Sequence, residues 1–262
     1  MQDNIEKLKH YGYEIVEPAH GMLANGDMGD GRMPDEELLF EYIVKEIAFE
    51  KDMTGKKVLV TAGATVEAID PVRFITNHSS GKMGFALAKN AMLRGAEVTL
   101  VMGKCDSEPP VFVNTVKVQS AKDMYDAVIE RADSMDIIVK AAAVADYRPK
   151  NVSSEKVKKQ DGNMSIELER TDDILKTLGE RKNGQFICGF SMETENMLEN
   201  SRKKLEKKNC DMIVANNLKQ DGAGFGGNTN IVTIITKDDE VQLEKMTKDE
   251  VAEKIFDFIL SR

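Results

Sequence analysis

A doubly wound α/β fold, with a mostly parallel sheet closed by an antiparallel edge hairpin, is what the sequence predicts, and three observations predict it. Short apolar runs such as Val58-Leu59-Val60 and Ile137-Ile138-Val139 alternate with stretches of helical periodicity. Runs of that kind suit strands buried on both faces, and the alternation supplies the crossovers that parallel strands require. The last two strand-like runs, 230–236 and 240–244, follow one another with no helix between them and read as a hairpin. Finally, the first run ends at Gly63 and opens a long polar loop that closes on Asn77-His78-Ser79-Ser80-Gly81-Lys82-Met83-Gly84. Loops at strand carboxyl ends are where open α/β sheets bind ligands.

Each element can be justified in order. Residues 1–52 differ from the rest: a Gly-rich polar patch at 21–32 precedes a helix over 34–49. Pro34, Asp35, Glu36 and Glu37 suit its first turn, and Leu38, Leu39, Tyr42, Ile43 and Ile47 recur at helical spacing. Gly55 separates this appendage from the first strand. After the long loop, Ser79 and Ser80 are read as caps of a helix beginning near Gly81 and running to Gly95, with Met83, Phe85, Leu87 and Met92 among its apolar positions. Its first amides lack intrahelical partners and carry the positive end of the dipole, so Ser79, Ser80 and Gly81 form a candidate phosphate site.

Strands follow at 97–103 and 115–118. Ser120 with Asp123 makes a capping-box start for a helix over 121–133, whose Met124, Tyr125, Val128, Ile129 and Ala132 share a face. A strand at 136–139 leads into Lys140-Ala141-Ala142-Ala143-Val144-Ala145-Asp146, small residues that let a flat group lie against the backbone. Residues 151–170 interrupt the alternation with a basic turn and a short strand at 164–168. Asp172 or Asp173 starts a helix to Arg181. A fifth core strand occupies 185–190, a charged amphipathic helix 195–208, a sixth strand 211–215 and a terminal helix 248–260.

Composition excludes several classes. With 262 residues, 41% hydrophobic and 31% charged, the chain has an ordinary globular balance. A net charge of −9 argues against a general nucleic-acid or membrane-surface binder. Cys105, Cys188 and Cys210 have no metal-site or disulfide spacing. No run is long enough to span a bilayer and the first residues lack signal-peptide character, so a cytoplasmic location is expected.

Any anion site must therefore be local. Glu155-Lys156-Val157-Lys158-Lys159 concentrates positive charge in a loop able to fold over a triphosphate, although a solvated turn has the same composition. Asp146 and Asp173 stand near strand-end loops, and a magnesium ion carried by a nucleotide needs only one or two protein carboxylates. Their blander readings are a turn before Pro149 and a helix cap. Lys204 and Lys208, four apart, share a helix face. Phe190 suits a core position as well as a base-stacking one. Gly222-Ala223-Gly224-Phe225-Gly226-Gly227 leads into a strand instead of a helix, so it is no dinucleotide fingerprint. Tyr147 and Lys150, with Pro149 between them, are poorly spaced for a dehydrogenase pair.

Taken in order, Asp70-Pro71-Val72-Arg73, the 77–84 motif, residues 141–148 and Lys156-Val157-Lys158-Lys159 resemble bacterial phosphopantothenoylcysteine synthetase over about residues 53–262. The resemblance implies a Rossmann-like sheet and a ligase of coenzyme A biosynthesis. Such an enzyme joins 4'-phosphopantothenate to L-cysteine with CTP and Mg2+, through an acyl cytidylate, releasing CMP and pyrophosphate. It further implies that Lys156 stabilises triphosphate charge and that Asn77 holds the acyl cytidylate. Nucleotide contacts carry over to Ala141, Ala142, Asp146, Lys156, Asp172, Asp173, Ile174, Leu175, Phe190, Lys204 and Lys208; Asp172 departs from the proline common there among relatives. A homodimer is implied as well.

The appendage, from Gly21 to Gly26 with Gly29, Gly31, Arg32 and Met33, resembles the final segment of phosphopantothenoylcysteine decarboxylase, often fused upstream of this synthetase. Asn25 stands where that family has a cysteine proton donor. Without that thiol or a flavin-binding body, neither FMN nor decarboxylation is expected, and residues 1–52 read as the C-terminal remnant of such a domain, altered or natural. The rival expectations are a nicotinamide-dependent reductase and a non-catalytic nucleotide-binding partner of a decarboxylase.

Overall fold

The computed structural model describes residues 2–159, 163–193, 196–217 and 226–262. The chain divides into two compact units, the first ending at Glu50 and the second beginning at Lys51. The first contains helix α1 (Gln2–His10), strands β1 (Ala19–Met22) and β2 (Met28–Arg32), and helix α2 (Glu36–Ile47). The Gly-rich patch, to which the sequence assigned no element, is an antiparallel hairpin, β1 against β2. Its turn holds Asn25 and Gly26, the latter at φ +86, a combination that favours hairpin turns. Asn25 donates from Nδ2 to Asp27 Oδ2 at 2.8 Å and accepts from the Asp27 amide at 3.2 Å, so it shapes the turn. A Cβ at 29 or 31 would stand 3.3 Å from the Leu23 side chain, close enough that the leucine must shift, and Gly31 also has a φ of +148.

The second unit opens with β3 (Lys57–Ala62), β4 (Val66–Ala68), β5 (Phe74–Thr76), α3 (Lys82–Leu93), β6 (Glu97–Met102), β7 (Asn114–Lys117), α4 (Ala121–Ala132) and β8 (Ile137–Lys140). It continues with β9 (Tyr147–Pro149), β10 (Leu168–Arg170), α5 (Ile174–Arg181), β11 (Phe186–Glu193), α6 (Met197–Lys207) and β12 (Met212–Asn217). The remaining elements are β13 (Thr229–Asn230), β14 (Val232–Ile235), β15 (Glu240–Gln242), β16 (Met246–Thr247) and α7 (Lys248–Leu260). The central sheet has eight strands in the order β15-β14-β12-β11-β8-β3-β6-β7. Strands from β7 to β12 pair in parallel, whereas β14 and β15 form the antiparallel edge. Both the doubly wound sheet and the edge hairpin agree with the expectation from sequence.

Alternate residues of each buried strand feed opposite faces. On one face Leu59, Ile138, Ile187 and Ile213 pack with Met124 and Val128 of α4, Ile174 and Leu178 of α5 and Leu205 of α6. On the other, α3 packs against α7 and lies over β3 and β6. Gly84 permits that approach, since a Cβ there would stand 2.5 Å from the Ala62 Cβ. From β3 the chain adds strands β6 and β7 to one side and then β8, β11 and β12 to the other, so the winding reverses between β3 and β8, where a crevice is expected.

Several local expectations are corrected. The long polar loop contains the hairpin β4–β5, turned by Asp70, which accepts from the Val72 and Arg73 amides at 2.7 and 2.8 Å. The strand expected at 164–168 is instead β10, which pairs with β9 so that Leu168 faces Pro149. Strand β11 continues three residues beyond 190, which places Phe190 inside the strand and not at its end. The expected start of α6 at residue 195 lies outside the described residues, as do positions 222–225 of the glycine string. No helix among the described residues is long and apolar enough to cross a membrane.

Candidate active site

At the carboxyl ends of β8, β11 and β12 lies a cleft of about 150 Å³ lined by residues 79–84 and 141–143 and by Phe190, Ser191, Asn216, Asn230 and Lys248. Its alanine wall is fixed from behind. The Thr61 hydroxyl accepts from the Ala142 amide at 3.0 Å and the Thr65 hydroxyl accepts from the Ala145 amide at 2.9 Å. Residues Gly63 and Ala143 close the crevice, the Ala143 amide donating to the Gly63 carbonyl at 2.8 Å.

The expected serine caps of α3 do not form. Gly81 occupies the N-cap with φ 81 and no side-chain cap is present among the described residues. Glycine suits that place, since its φ lies in the left-handed region and a Cβ there would collide with the Cys105 side chain. Ser80 is nonetheless buried, at 7% exposure. A helix start with no protein cap leaves its first amides to be satisfied by water or a ligand anion. Asn216 faces the same cleft at 4% exposure, and its Oδ1 finds no hydrogen-bond partner among the described residues. A buried acceptor left unpaired costs about 1–3 kcal/mol, so the cleft is suited to a ligand that also presents a donor. Cations flank it: Lys82 Nζ donates to the Gly226 carbonyl at 2.7 Å, and Lys248 Nζ to that of Gly227 at 2.7 Å. Burial, followed by the nearby Lys82, holds the Lys248 ammonium below its ordinary pKa.

A second cleft, about 380 Å³, lies immediately across β8 and is lined by Lys140, Asp146, Asp172, Asp173, Ile174, Leu175 and a lysine-rich face of α6 comprising Lys203, Lys204, Lys207 and Lys208. Asp173 caps α5, accepting from the Lys176 amide at 2.9 Å, and its other oxygen is bonded by Lys208. Burial opposes the Asp173 charge, but Lys208 and the Lys176 amide prevail and lower its pKa. Lys204 Nζ donates to the Phe190 carbonyl at 2.8 Å, which ties the lysine face to the strand bordering the first cleft. Lys140 is pushed down to about 8, chiefly by burial and then by Lys204, with Asp173 and Asp146 working the other way.

The nucleotide residues expected from sequence are thus divided between two adjoining clefts. Ala141, Ala142 and Phe190 border the α3 start with Ser79, Ser80 and Gly81, while Asp146, Asp172, Asp173, Ile174, Leu175, Lys204 and Lys208 border the second. The division falls at the end of β8, where Lys140, its last residue, borders the second cleft and the alanines that follow border the first. Asn77 is exposed at the edge of the alanine wall and donates from Nδ2 to the Ala143 carbonyl at 3.2 Å. Lys156 is exposed and lines neither cleft; its loop is fastened below it by the Val157 amide, which donates to Asp70 Oδ2 at 3.1 Å. Sequence reasoning passed over Asn216, Lys82, Lys248 and Lys140. Of these, Lys82 stood in the 77–84 motif and Lys140 directly after an aliphatic strand, so both carried a signal; Asn216 and Lys248 carried none.

Fold and clefts together define a doubly wound α/β protein with two cation-flanked clefts at the carboxyl edge of its sheet. The family model described as DNA/pantothenate metabolism flavoprotein C-terminal domain matches residues 53–262, and the chain belongs to this family. The Coenzyme A biosynthesis bifunctional protein CoaBC of Bacillus subtilis is 49% identical over 241 residues, which is 91% of this chain and 59% of that protein. A protein named cysteine/cysteine sulfinic acid decarboxylase, from an unknown prokaryotic organism, is 44% identical over 99% of this chain and 74% of its own length. Among solved structures, the C-terminal domain of a CoaBC protein matches at TM-score 0.70 and 48% identity, covering 81% of this chain and 97% of that one. The chain therefore spans somewhat over half the length of the Bacillus relative, and corresponds to its C-terminal part.

Proposed function

We propose that the second unit ligates 4'-phosphopantothenate to L-cysteine at the expense of CTP, in coenzyme A biosynthesis. One observation carries the reading: a helix-start anion cleft and a lysine-lined cleft adjoin across β8, joined by the contact of Lys204 with Phe190. Family membership and the length of the match to CoaBC proteins support it.

The chemistry needs two anionic partners side by side. The pantothenate carboxylate attacks the α-phosphorus of CTP; the P–O bond to the β-phosphate breaks and pyrophosphate leaves. The cysteine amine then attacks the acyl carbon, loses a proton, and CMP departs as the amide forms. Lys204 and Lys208 hold polyphosphate charge, the free start of α3 receives the second anion, and Asn77 orients the acyl cytidylate beside the Ala143 carbonyl. Lys156 reaches the triphosphate only if its loop moves toward the clefts.

Mg2+ accompanies the nucleotide in this reading and would neutralise charge on the phosphates. Both oxygens of Asp173 are committed to Lys176 and Lys208, which fits it poorly as a ligand. Asp146 is exposed, and one carboxylate is enough for an ion held mainly by phosphate and water. No cluster of three or more metal-ligating side chains exists among the described residues. A homodimer, a cytoplasmic location and fusion to a decarboxylase domain upstream belong to the same reading, in which residues 1–52 are the end of that domain and supply neither its thiol nor an FMN site.

Pyrophosphate release that requires CTP and 4'-phosphopantothenate together is the expected result, with CTP preferred over ATP. Asn77→Asp should still release pyrophosphate in a single turnover yet make no amide product. Normal turnover by that variant would remove Asn77 from the mechanism, and CTP binding without turnover by the unaltered chain would favour a non-catalytic partner. Oxidation of a nicotinamide cofactor would favour the reductase.

A further inference from the structure

Lys140 ends β8, and its side chain shares a sheet face with Ile138, two residues earlier. That face is the aliphatic one covered by Ile174 and Leu175 of α5, so the lysine stem leaves the sheet through apolar surroundings before its ammonium reaches the lysine-lined cleft. The charges facing it are Lys204 and Lys208 from α6, Asp173 from the start of α5 and Asp146 from the loop after β8. Asp173 is already bonded by Lys208, and among the described residues Lys140 makes no ion pair or hydrogen bond of its own. Lys140 is half-buried, and although Asp173 and Asp146 face it, a cation beside two others with no direct bond among the described residues is only partly compensated in the free protein. Such an arrangement becomes favourable when a polyanion enters, because each ammonium then gains a charge-assisted hydrogen bond.

We propose that the Lys140 side chain is a further direct contact for the nucleotide polyphosphate, closing with Lys204 and Lys208 a three-sided cationic cradle. The proposal rests on the reading of this cleft as the CTP site. It has a linkage consequence. In the free protein burial, and after it the Lys204 charge, push the Lys140 pKa down to about 8. A bound polyanion favours its charged form, so CTP binding takes up a proton at that pH and weakens as the pH rises further.

Calorimetric titration of the full chain with CTP and Mg2+ at about pH 8, in buffers of differing ionisation heat, tests it. Lys140→Met, which keeps the apolar stem and should fold, is expected to bind roughly 10- to 100-fold more weakly and to lose the proton uptake. Lys140→Arg should bind near the unaltered level with no uptake, since a guanidinium stays charged throughout. Unchanged affinity and uptake in Lys140→Met would overturn the proposal. Lys208→Met separates the two levels: weakening there without weakening in Lys140→Met removes Lys140 alone, whereas binding unaffected by either variant removes the nucleotide cleft and the proposal with it.

Discussion

The two units of this chain contain similar local patterns but very different interiors. Helix α2 places Phe40, Ile43 and Ile47 four or so residues apart, yet these are 63%, 56% and 76% exposed and neither α1 nor α2 buries a residue within the chain. Helix α3, of equal length, buries Phe85, Leu87, Met92 and Leu93. Apolar periodicity therefore announces a face and leaves open what covers it. In the second unit the cover is the sheet; in the first it is not supplied by the residues described.

Separating the units should have the largest effect. Residues 51–262 alone are expected to unfold in one cooperative transition with the midpoint of the intact chain, while residues 1–50 alone should show none, because so short a segment buries too little apolar surface. A cooperative melt of the short fragment would break the comparison. Next in size, Phe256→Ala in the fully buried part of α7 should cost about 3–5 kcal/mol, whereas Phe40→Ala should stay within about 0.5 kcal/mol, both read from urea midpoints. Smaller again is Arg94→Met. Arg94 is buried and pairs with Asp52 at 2.5 Å and Asp257 at 2.9 Å, both of them more than a third exposed. The loss is expected near the low end for a broken buried pair, about 3 kcal/mol, as water reaches the stranded carboxylates.

How far the sequence reveals the fold depends on whether a signal is local. The Ser120 and Asp123 capping box forms in both directions, at 3.1 and 2.9 Å, because its partners lie within a single turn. Strand and helix alternation is legible for the same reason. The α3 cap is not: the N-cap place is taken by Gly81, in the left-handed region, where a Cβ would meet Cys105, more than twenty residues away. Both missed hairpins, β1–β2 and β4–β5, are short and rich in glycine or turn residues, so their alternation is hidden. At the site, residue types were readable from the motifs, but their division between two clefts depends on how the chain leaves the end of β8, and the unsatisfied Asn216 oxygen is visible only once the chain has closed around it.

The mildest expected effect is on pH dependence, and it sharpens the contrast by tracing acid sensitivity to named carboxylates of the second unit. Hydrogen bonding from Arg94 lowers the Asp52 pKa below 3.8, against an opposing contribution from burial. For Asp70, burial raises the pKa, but the amides of Val72, Val157 and Arg73 and the Arg73 charge together outweigh it, and the net shift is again downward. A carboxyl with a lowered folded-state pKa stabilises the protein above its unfolded value and loses that contribution as the pH falls through the folded one. Stability of residues 51–262 should therefore decline between about pH 5 and 3, and Asp52→Asn and Asp70→Asn should each flatten the decline. Asp70 has a second readout, because its Oδ2 holds the Val157 amide beneath the lysine loop. Exchange of that amide should quicken in Asp70→Asn at neutral pH while the core strands keep their protection. Equal protection in both proteins would mean that the Asp70 carboxylate does not anchor the loop bearing Lys156.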